Sequence, residues 1–297
     1  MVDYRPDKSK VARSFAAAAS QYDDVAVLQR QTADELLDRL SLMKIRPGTI
    51  LDLGVGTGRN LSLLQKRYPD ARLIAMDIAP DMLQQAQKRY RHDLGLKRWW
   101  PGQNKLQLIA GDAESLPLVD NSVDLVFANL ALQWCEPQLS FREIQRVLKP
   151  EGLLMFTSLG PDTLTELRQA WAAVDPYPHV NLFFDMHDVG DAMTASGLSD
   201  CVLDVEPYRL TYPTPMAMMR DLKLLGARNM NEGRRRGLTG KNIMTSVVSE
   251  YETFRQDDLI PASYEVVFGH GWKLIQTGHQ QTADGSVNIP ISEIQRR

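Results

Sequence analysis

Hydrophobic positions along the chain follow two rhythms. Between residues 8 and 42, Val25, Leu28, Gln29, Thr32, Leu36, Leu37 and Leu40 keep the helical period, so one or two helices are expected there. From Thr49 onward, short apolar runs take over. The stretches TILDLGV (49–55), ARLIAMDI (71–78), KLQLIAGD (105–112), VDLVFANLAL (123–132) and GLLMFTSL (152–159) read as strands. They are nearly continuous in apolar residues, which marks parallel strands buried on both faces. Helices are expected between them: from Arg59 to about Tyr68, from Pro80 in its favoured first turn to about Arg91, and from Leu139 to Leu148. Strand–helix alternation with right-handed crossovers gives an α/β fold, a doubly wound and mostly parallel sheet.

Past residue 160 the alternation changes. Helices are expected over 162–175 and over 185–197, the second closed by Gly197. Late strands are expected over 201–212 and 263–272, and as neighbours they would finish the sheet as a hairpin edge. Two helical stretches, about 215–227 and 241–256, lie between those strands and are expected to fold over the sheet as a cap. The pattern predicts one domain over 1–297. Its core is about 44–160 plus the two late strands, with a cap from about 161–200 and 213–262. The tail after about residue 276 is polar and is expected to be poorly ordered.

Composition narrows the functional classes. With 43% apolar and 24% charged residues in 297, the chain reads as an ordinary soluble globular protein. A net charge of −3 argues against nucleic acid as the partner. Cys135 and Cys201 are far apart and lack CxxC spacing, which fits a reducing compartment. The N-terminal MVDYRPDKSKVARSF has no apolar h-region, and no apolar run approaches the roughly 20 residues needed to cross a bilayer. A cytoplasmic protein without membrane contact is expected. His187, His270 and His279 show no metal-ligand spacing, so no metal is expected.

The candidate chemistry starts at ILDLGVGTGRN (50–60), with glycines at 54, 56 and 58. Such a loop also makes a plain strand-to-helix turn, because glycine allows positive φ and close approach. Its neighbours say more. The spacing is G-x-G-x-G, with Arg59 and Asn60 where a dinucleotide fingerprint needs its third glycine. Asp52 opens the loop with an acid, which discourages a pyrophosphate and favours an ammonium. The next strand ends in Asp77, placed to accept both hydroxyls of a ribose. The third ends in GDAESLPL, bringing Asp112 to the carboxyl edge beside the adenine end of such a ligand. The fourth brings Asn129 to the same edge, where ligands of open α/β sheets bind. A ligand with an adenosine and an amino-acid ammonium is S-adenosylmethionine.

In these features the chain resembles the class I, Rossmann-like methyltransferases. That resemblance implies that Asp52, Gly54 and Gly56 serve the methionine end, Asp77 the ribose, and Asp112 with Ala113 the adenine. It further implies that Ile78 and Met82 pack on the adenine face. More specifically, SFAAAASQYDDVAVLQRQTADELL, NLALQW, TLTELRQAWAAVD, HVNLFFDMHDVGDAM, RDLKLLGARN, RGLTGK and YEVVFGHGW are similar to segments of the malonyl-acyl-carrier-protein O-methyltransferases of biotin synthesis. The likeness spans roughly residues 10 to 273. The segments from 160 onward carry most of its specificity, since the glycine loop is common to the superfamily. Departures are few: Val55 stands where many relatives have cysteine or serine, and Leu159 and Phe184 are unremarkable variants. The family methylates the free carboxylate of a malonyl thioester on acyl carrier protein. The ester disguises the chain for elongation toward a pimeloyl unit.

The expected chemistry makes simple demands. A malonyl carboxylate is already ionised near pH 7 and needs no general base. Joining an anion to a sulfonium dissipates charge, so a dry site that aligns the reactants about 3 Å apart should supply most of the rate. Neutral donors and aromatic walls suit it. Tyr22 is a candidate to close over the methionine end and turn its hydroxyl toward the carboxylate. Phe183 is a candidate wall, and His179 and Asn181 are candidate donors; simple packing is the competing reading for all four. Gln133 and Trp134 either face the site or buttress the fourth strand. The resemblance also implies an acidic carrier protein. Cations concentrate in the cap at Arg220, Lys223, Arg228, Arg234, Arg235, Arg236 and Lys241, a candidate docking patch whose plain alternative is a solvated face. Trp99 and Trp100 fall in a loop, against the sheet edge or a partner.

Three alternatives stand beside this reading: a methyltransferase-fold protein-arginine hydroxylase of respiratory-complex assembly, a binding module without catalysis, and a methyltransferase of a free small acid. Malonyl-CoA stands as a possible substrate alongside the carrier-bound thioester.

Overall fold

The predicted apolar runs form the middle of one twisted sheet. The structure, a computed structural model, describes residues 6–95, 105–230 and 240–275. In chain order the elements are α1 (Lys8–Ala18), α2 (Tyr22–Val25), α3 (Val27–Leu40), β1 (Thr49–Leu53), α4 (Arg59–Arg67), β2 (Arg72–Asp77), α5 (Pro80–Leu94) and β3 (Leu106–Ala110). They continue with β4 (Val123–Asn129), α6 (Pro137–Val147), β5 (Leu148–Leu159), α7 (Thr165–Ala172), α8 (Met186–Ala195), β6 (Leu198–Tyr212), α9 (Pro215–Leu224), α10 (Lys241–Glu252) and β7 (Ile260–Lys273). The strands align in the order β3-β2-β1-β4-β5-β7-β6. β1 to β5 run parallel, whereas β7 is antiparallel to both β5 and β6.

Side-chain alternation on the central strands builds a core on each face. Ile50, Leu125 and Leu153 belong to the layer that includes Leu36 of α3, Leu61 of α4, Ala86 of α5 and Trp171 of α7. Their chain neighbours Leu51, Val126 and Leu154 meet Phe141 and Ile144 of α6 and Val189 and Met193 of α8. Burial on both faces explains why these strands read as unbroken apolar runs. The edge strand β6 instead alternates in burial along its length.

Several boundaries differ from the sequence reading. The N-terminal segment forms three helices, not one or two. The chain leaves helical geometry at Gln21 and again at Ala26 (φ −77°, ψ 50°), without disturbing the apolar period. The fourth strand stops at Asn129, short of residue 132, and Leu132–Trp134 is a 3-10 turn. Leu130 between them holds φ at 47°, in the left-handed region. Of the segment 161–200 expected in the cap, α7 joins the layer of α9 and α10, with Met218, Val247 and Tyr251 buried in the same cluster. α8 instead lies on the other sheet face against α6, because Val189, Ala192 and Met193 complete that core. Trp99, Trp100 and the tail after 276 lie outside the described residues. Among the described residues no helix is long and apolar enough to cross a membrane.

The N-terminal helices are tied to the rest of the chain by specific contacts. Arg39 of α3 donates to Glu35 at 2.8 Å and to Asp204 of β6 at 2.6 Å, and also pairs with Glu206. Its guanidinium lies 4.0 Å over the Phe268 ring. Ser14 of α1 donates to the carbonyl of Gly226, just past α9.

Candidate active site

The sheet order reverses between β1 and β4, and there the loops leaving the strands open a crevice, the usual ligand position in such sheets. The glycine loop forms its floor. Gly54 and Val55 donate to the carbonyl of Met76 at 2.8 and 3.0 Å, which folds the loop back over β2. Gly56 (φ 53°) faces open space, with nothing within 4 Å of where a Cβ would stand. The loop therefore offers bare backbone on its ligand side.

A cavity lies above this loop, with about 670 Å3 of space counting its mouth to solvent. Tyr22, Gly54, Gly56, Asp77, Ile78, Met82, Asp112, Ala113 and Asn129 all line it. Nine of the ten expected cofactor positions thus meet at one site. The tenth, Asp52, is not among the lining residues. It is 2% exposed, and its Oδ2 has no hydrogen-bond partner. Burial, and then the nearby Asp77 carboxylate, push Asp52 up to about 8. Asp77 accepts from the backbone N–H groups of Gly56 and Ala79, both at 2.9 Å. Burial raises its carboxyl to about 6, while those N–H groups pull the other way.

Asn129, at the cavity edge, also has partners within the protein. Its Oδ1 accepts from Thr32 at 2.9 Å and Thr157 at 2.8 Å, and its Nδ2 donates to the Gln29 carbonyl at 3.0 Å. The amide is committed to joining α3, β4 and β5. Sequence position placed Asn129 correctly at the strand edge but did not disclose these partners.

The cavity wall at Asp112 holds a group that the sequence reading missed. Lys8 of α1 pairs with Asp112 at 3.1 Å and Glu114 at 2.7 Å, and its ammonium lies 3.3 Å from Cys135 Sγ. Asp112, Glu114 and Cys135 bring metal-type ligand atoms within 4.8 Å of one another, but that spot already has the Lys8 charge. Cys135 is buried, and burial first of all raises its thiol to about 11, so it stays protonated. Phe15 and Val11 of α1 also line the cavity, as does Trp134, which meets Phe15 edge-on at 5.5 Å between ring centroids. Helical spacing from Val11 to Phe15 was the available signal.

A second cavity, with about 850 Å3 of space counting its mouth to solvent, adjoins the first, and the two share Phe15, Tyr22, Leu130 and Trp134. Tyr22, His179, Asn181 and Phe183, the four expected catalytic positions, all line this second cavity. Burial, first of all, raises the Tyr22 phenol above its ordinary range, so it remains a hydrogen-bond donor. His179 Nε2 lies 2.8 Å from Asp175 Oδ1, and its ring stacks on Trp171 at 3.5 Å between centroids. Asn181 also has protein partners: its Nδ2 donates to the Arg228 carbonyl at 3.0 Å and its Oδ1 accepts from Met230 N at 2.7 Å. Its amide braces the segment after α9. Leu164, Leu167, Val180 and Leu222 give most of the rest of this cavity an apolar wall.

Arg220, Lys223 and Arg228 are exposed, and none forms an ion pair with another described residue. Arg234, Arg235 and Arg236 lie outside the described residues, and Lys241, at the start of α10, is exposed.

The strand order and the glycine loop at the switch point define a methyltransferase fold. A family model described as "Methyltransferase domain" matches residues 51–156. Among solved structures, the chain superposes on the YcgJ protein of Bacillus subtilis with TM-score 0.55 and 17% identity, over 81% of this chain and 98% of that one. It matches the [4+2]-cyclase SpnF with TM-score 0.57 and 19% identity, over 92% and 98%. It is 47% identical to a malonyl-[acyl-carrier protein] O-methyltransferase of Methylovorus sp. (strain MP688), over 91% of this chain and 90% of the other. It is 46% identical to the protein of that name in Nitrosospira multiformis, over 91% of each. The chain belongs to the malonyl-[acyl-carrier protein] O-methyltransferase family.

Proposed function

We propose that this protein transfers a methyl group from S-adenosylmethionine to the free carboxylate of a malonyl thioester on acyl carrier protein. The product is the malonyl methyl ester that starts pimeloyl assembly in biotin synthesis. The observation that carries this reading is the pair of cavities joined at Tyr22 and Trp134: one is floored by the glycine loop and Asp77, the other is largely apolar. Such a junction excludes water where an anion must lose its charge. The bound cofactor supplies an electrophilic methyl group on a sulfonium. In the chain itself, Gly54 and Gly56 give bare backbone, Asp77 would accept from the ribose, and Ile78 and Met82 would flank the adenine. Tyr22 offers a neutral hydroxyl at the junction, and Phe183 walls the acyl side. No side chain is needed as a base, since the carboxylate is already ionised.

Intact-mass analysis of malonyl-carrier protein with enzyme and S-adenosylmethionine tests the reading, with succinyl-carrier protein and malonyl-CoA alongside. A gain of one methyl on the malonyl form, removed by an esterase, supports it. No gain despite bound cofactor would overturn it. Cytoplasmic location and the absence of nucleic-acid partners belong to the same proposal; the free Cys135 and Cys201 fit a reducing compartment.

Cofactor binding should release a proton. Asp52, raised to about 8, is protonated in the free protein at pH 7, and a cation across the loop favours its carboxylate. Apparent affinity should rise between pH 6 and about 8 and then level off. Calorimetry in two buffers of different protonation enthalpy should give different apparent binding enthalpies at pH 7. For the free protein the sign is opposite: the contribution to stability is present below about pH 4 and lost as pH rises through about 8.

The cations Arg220, Lys223 and Arg228, exposed and in no ion pair among the described residues, suit an acidic carrier. Reversing all three charges should raise KM for the carrier substrate about tenfold and leave malonyl-CoA within about twofold. Equal losses on both substrates would refute docking at this face.

A further inference from the structure

Two residues that line the second cavity carry buried side-chain oxygens without partners. Gln133, in the turn after β4, is 8% exposed; its Nε2 donates to the Leu130 carbonyl at 2.7 Å, and its Oε1 has no hydrogen bond. That donated bond fixes which end of the amide remains unpaired. Gln29 of α3 lines the same cavity, and its Oε1 is likewise buried without a partner. The two residues flank one corner, since the Gln29 carbonyl accepts from Asn129, the neighbour of Leu130. Neither glutamine lines the cofactor cavity. A buried acceptor left unpaired is costly, so the occupant of this cavity should bring N–H or O–H donors.

The ionised malonyl group has none: its carboxylate and thioester carbonyl only accept. The donor must come from beyond the sulfur. In thioesters of carrier proteins and of coenzyme A, the first amide N–H follows two methylenes after the sulfur, on an otherwise largely apolar arm. We propose that Gln133 and Gln29 form an acceptor subsite for the amide N–H of a pantetheine-type thioester arm, with Gln133 the main recognition residue. The apolar wall from Leu164, Leu167 and Leu222 covers the methylenes on either side. This assignment rests on the proposed reaction, and it predicts discrimination against a free small dicarboxylic acid, which leaves both oxygens unpaired.

The test uses two small malonyl thioesters. One carries N-acetylcysteamine; the other carries 2-mercaptoethyl acetate, in which oxygen replaces the N–H and the rest of the shape is kept. Wild-type enzyme should favour the amide by about tenfold in kcat/KM. In Gln133→Met the preference should fall below about twofold, chiefly because the amide substrate loses its advantage. Gln29→Met, which leaves the Gln133 bond to Leu130 in place, should reduce the preference partway. Equal wild-type rates for amide and ester overturn the subsite without reference to any variant, and leave the methyl-transfer reading intact. An unchanged preference in a folded Gln133→Met enzyme overturns the role of Gln133. Failure to methylate any malonyl thioester overturns the reaction and this subsite together.

Discussion

Replacing Asp77 with alanine is expected to weaken S-adenosylmethionine binding by roughly a hundredfold or more, measured by calorimetry. Two losses combine. The carboxylate at the end of β2 is the proposed acceptor for the ribose hydroxyls, and hydrogen bonds to a charged group are each worth about 1.5–3 kcal/mol. It also holds the N–H groups of Gly56 and Ala79 at 2.9 Å, so the glycine loop loses its tether. A further signature separates this from plain unfolding. Removing the Asp77 charge takes away one cause of the raised Asp52 pKa, so proton release on binding should move to lower pH. Wild-type affinity in a folded Asp77→Ala protein would show that the ribose assignment is wrong.

Gly54→Ala should act on the same site from the opposite side of the loop. The residue has φ 71°, where a non-glycine residue costs about 1–2 kcal/mol. A Cβ there would stand 2.3 Å from the Ala131 Cβ, closer than such atoms can approach. Ala131 lies beside the strained Leu130, so neither partner moves alone. The loop must shift by something like an ångström, a displacement that costs about a hundredfold in a positioned site. Cofactor affinity should fall to that extent and melting temperature should drop, both measured on the purified variant. The double variant Gly54→Ala/Ala131→Gly should recover part of the loss, because it removes the colliding methyl. No recovery would assign the defect to backbone strain instead.

The sequence was most informative where local physics decides. Continuous apolar runs such as ILDL and LIAMD identified the parallel strands because burial on both faces leaves no polar positions. Strand ends then placed Asp77, Asp112 and Asn129 on one edge. The polar partners of a side chain were not legible. The amides of Asn129 and Asn181 bond Thr32, Thr157 and Gln29 in one case and the backbone of residues 228 and 230 in the other. Those contacts join elements 28 to 100 residues apart in sequence. Nor was the burial of Asp52, 2% exposed and absent from the cavity lining, legible from its place at the head of the loop. Lys8 was missed because a lysine in the first turn of a surface helix has nothing in its neighbourhood to announce Asp112, more than a hundred residues later. The helix breaks near Gln21 and Ala26 were invisible for another reason: a continuing apolar period tolerates a local change of ψ.

The strand order also sets the hazards of synthesis. β5 pairs on one side with β4, made just before it, and on the other with β7, the last strand. Until β7 emerges, the outer edge of β5 presents a row of unpaired backbone groups from a very hydrophobic segment, Leu153 to Phe156. Roughly a hundred residues separate the two strands, which at ribosomal rates is about 5–20 s of exposure. β6 cannot shield that edge, because β7 must lie between them. The nascent chain therefore passes through a stage in which its cofactor half can be nearly assembled while its sheet is still open. Chaperones, or early cofactor binding to that half, would bear on the yield of the finished enzyme rather than on its final stability.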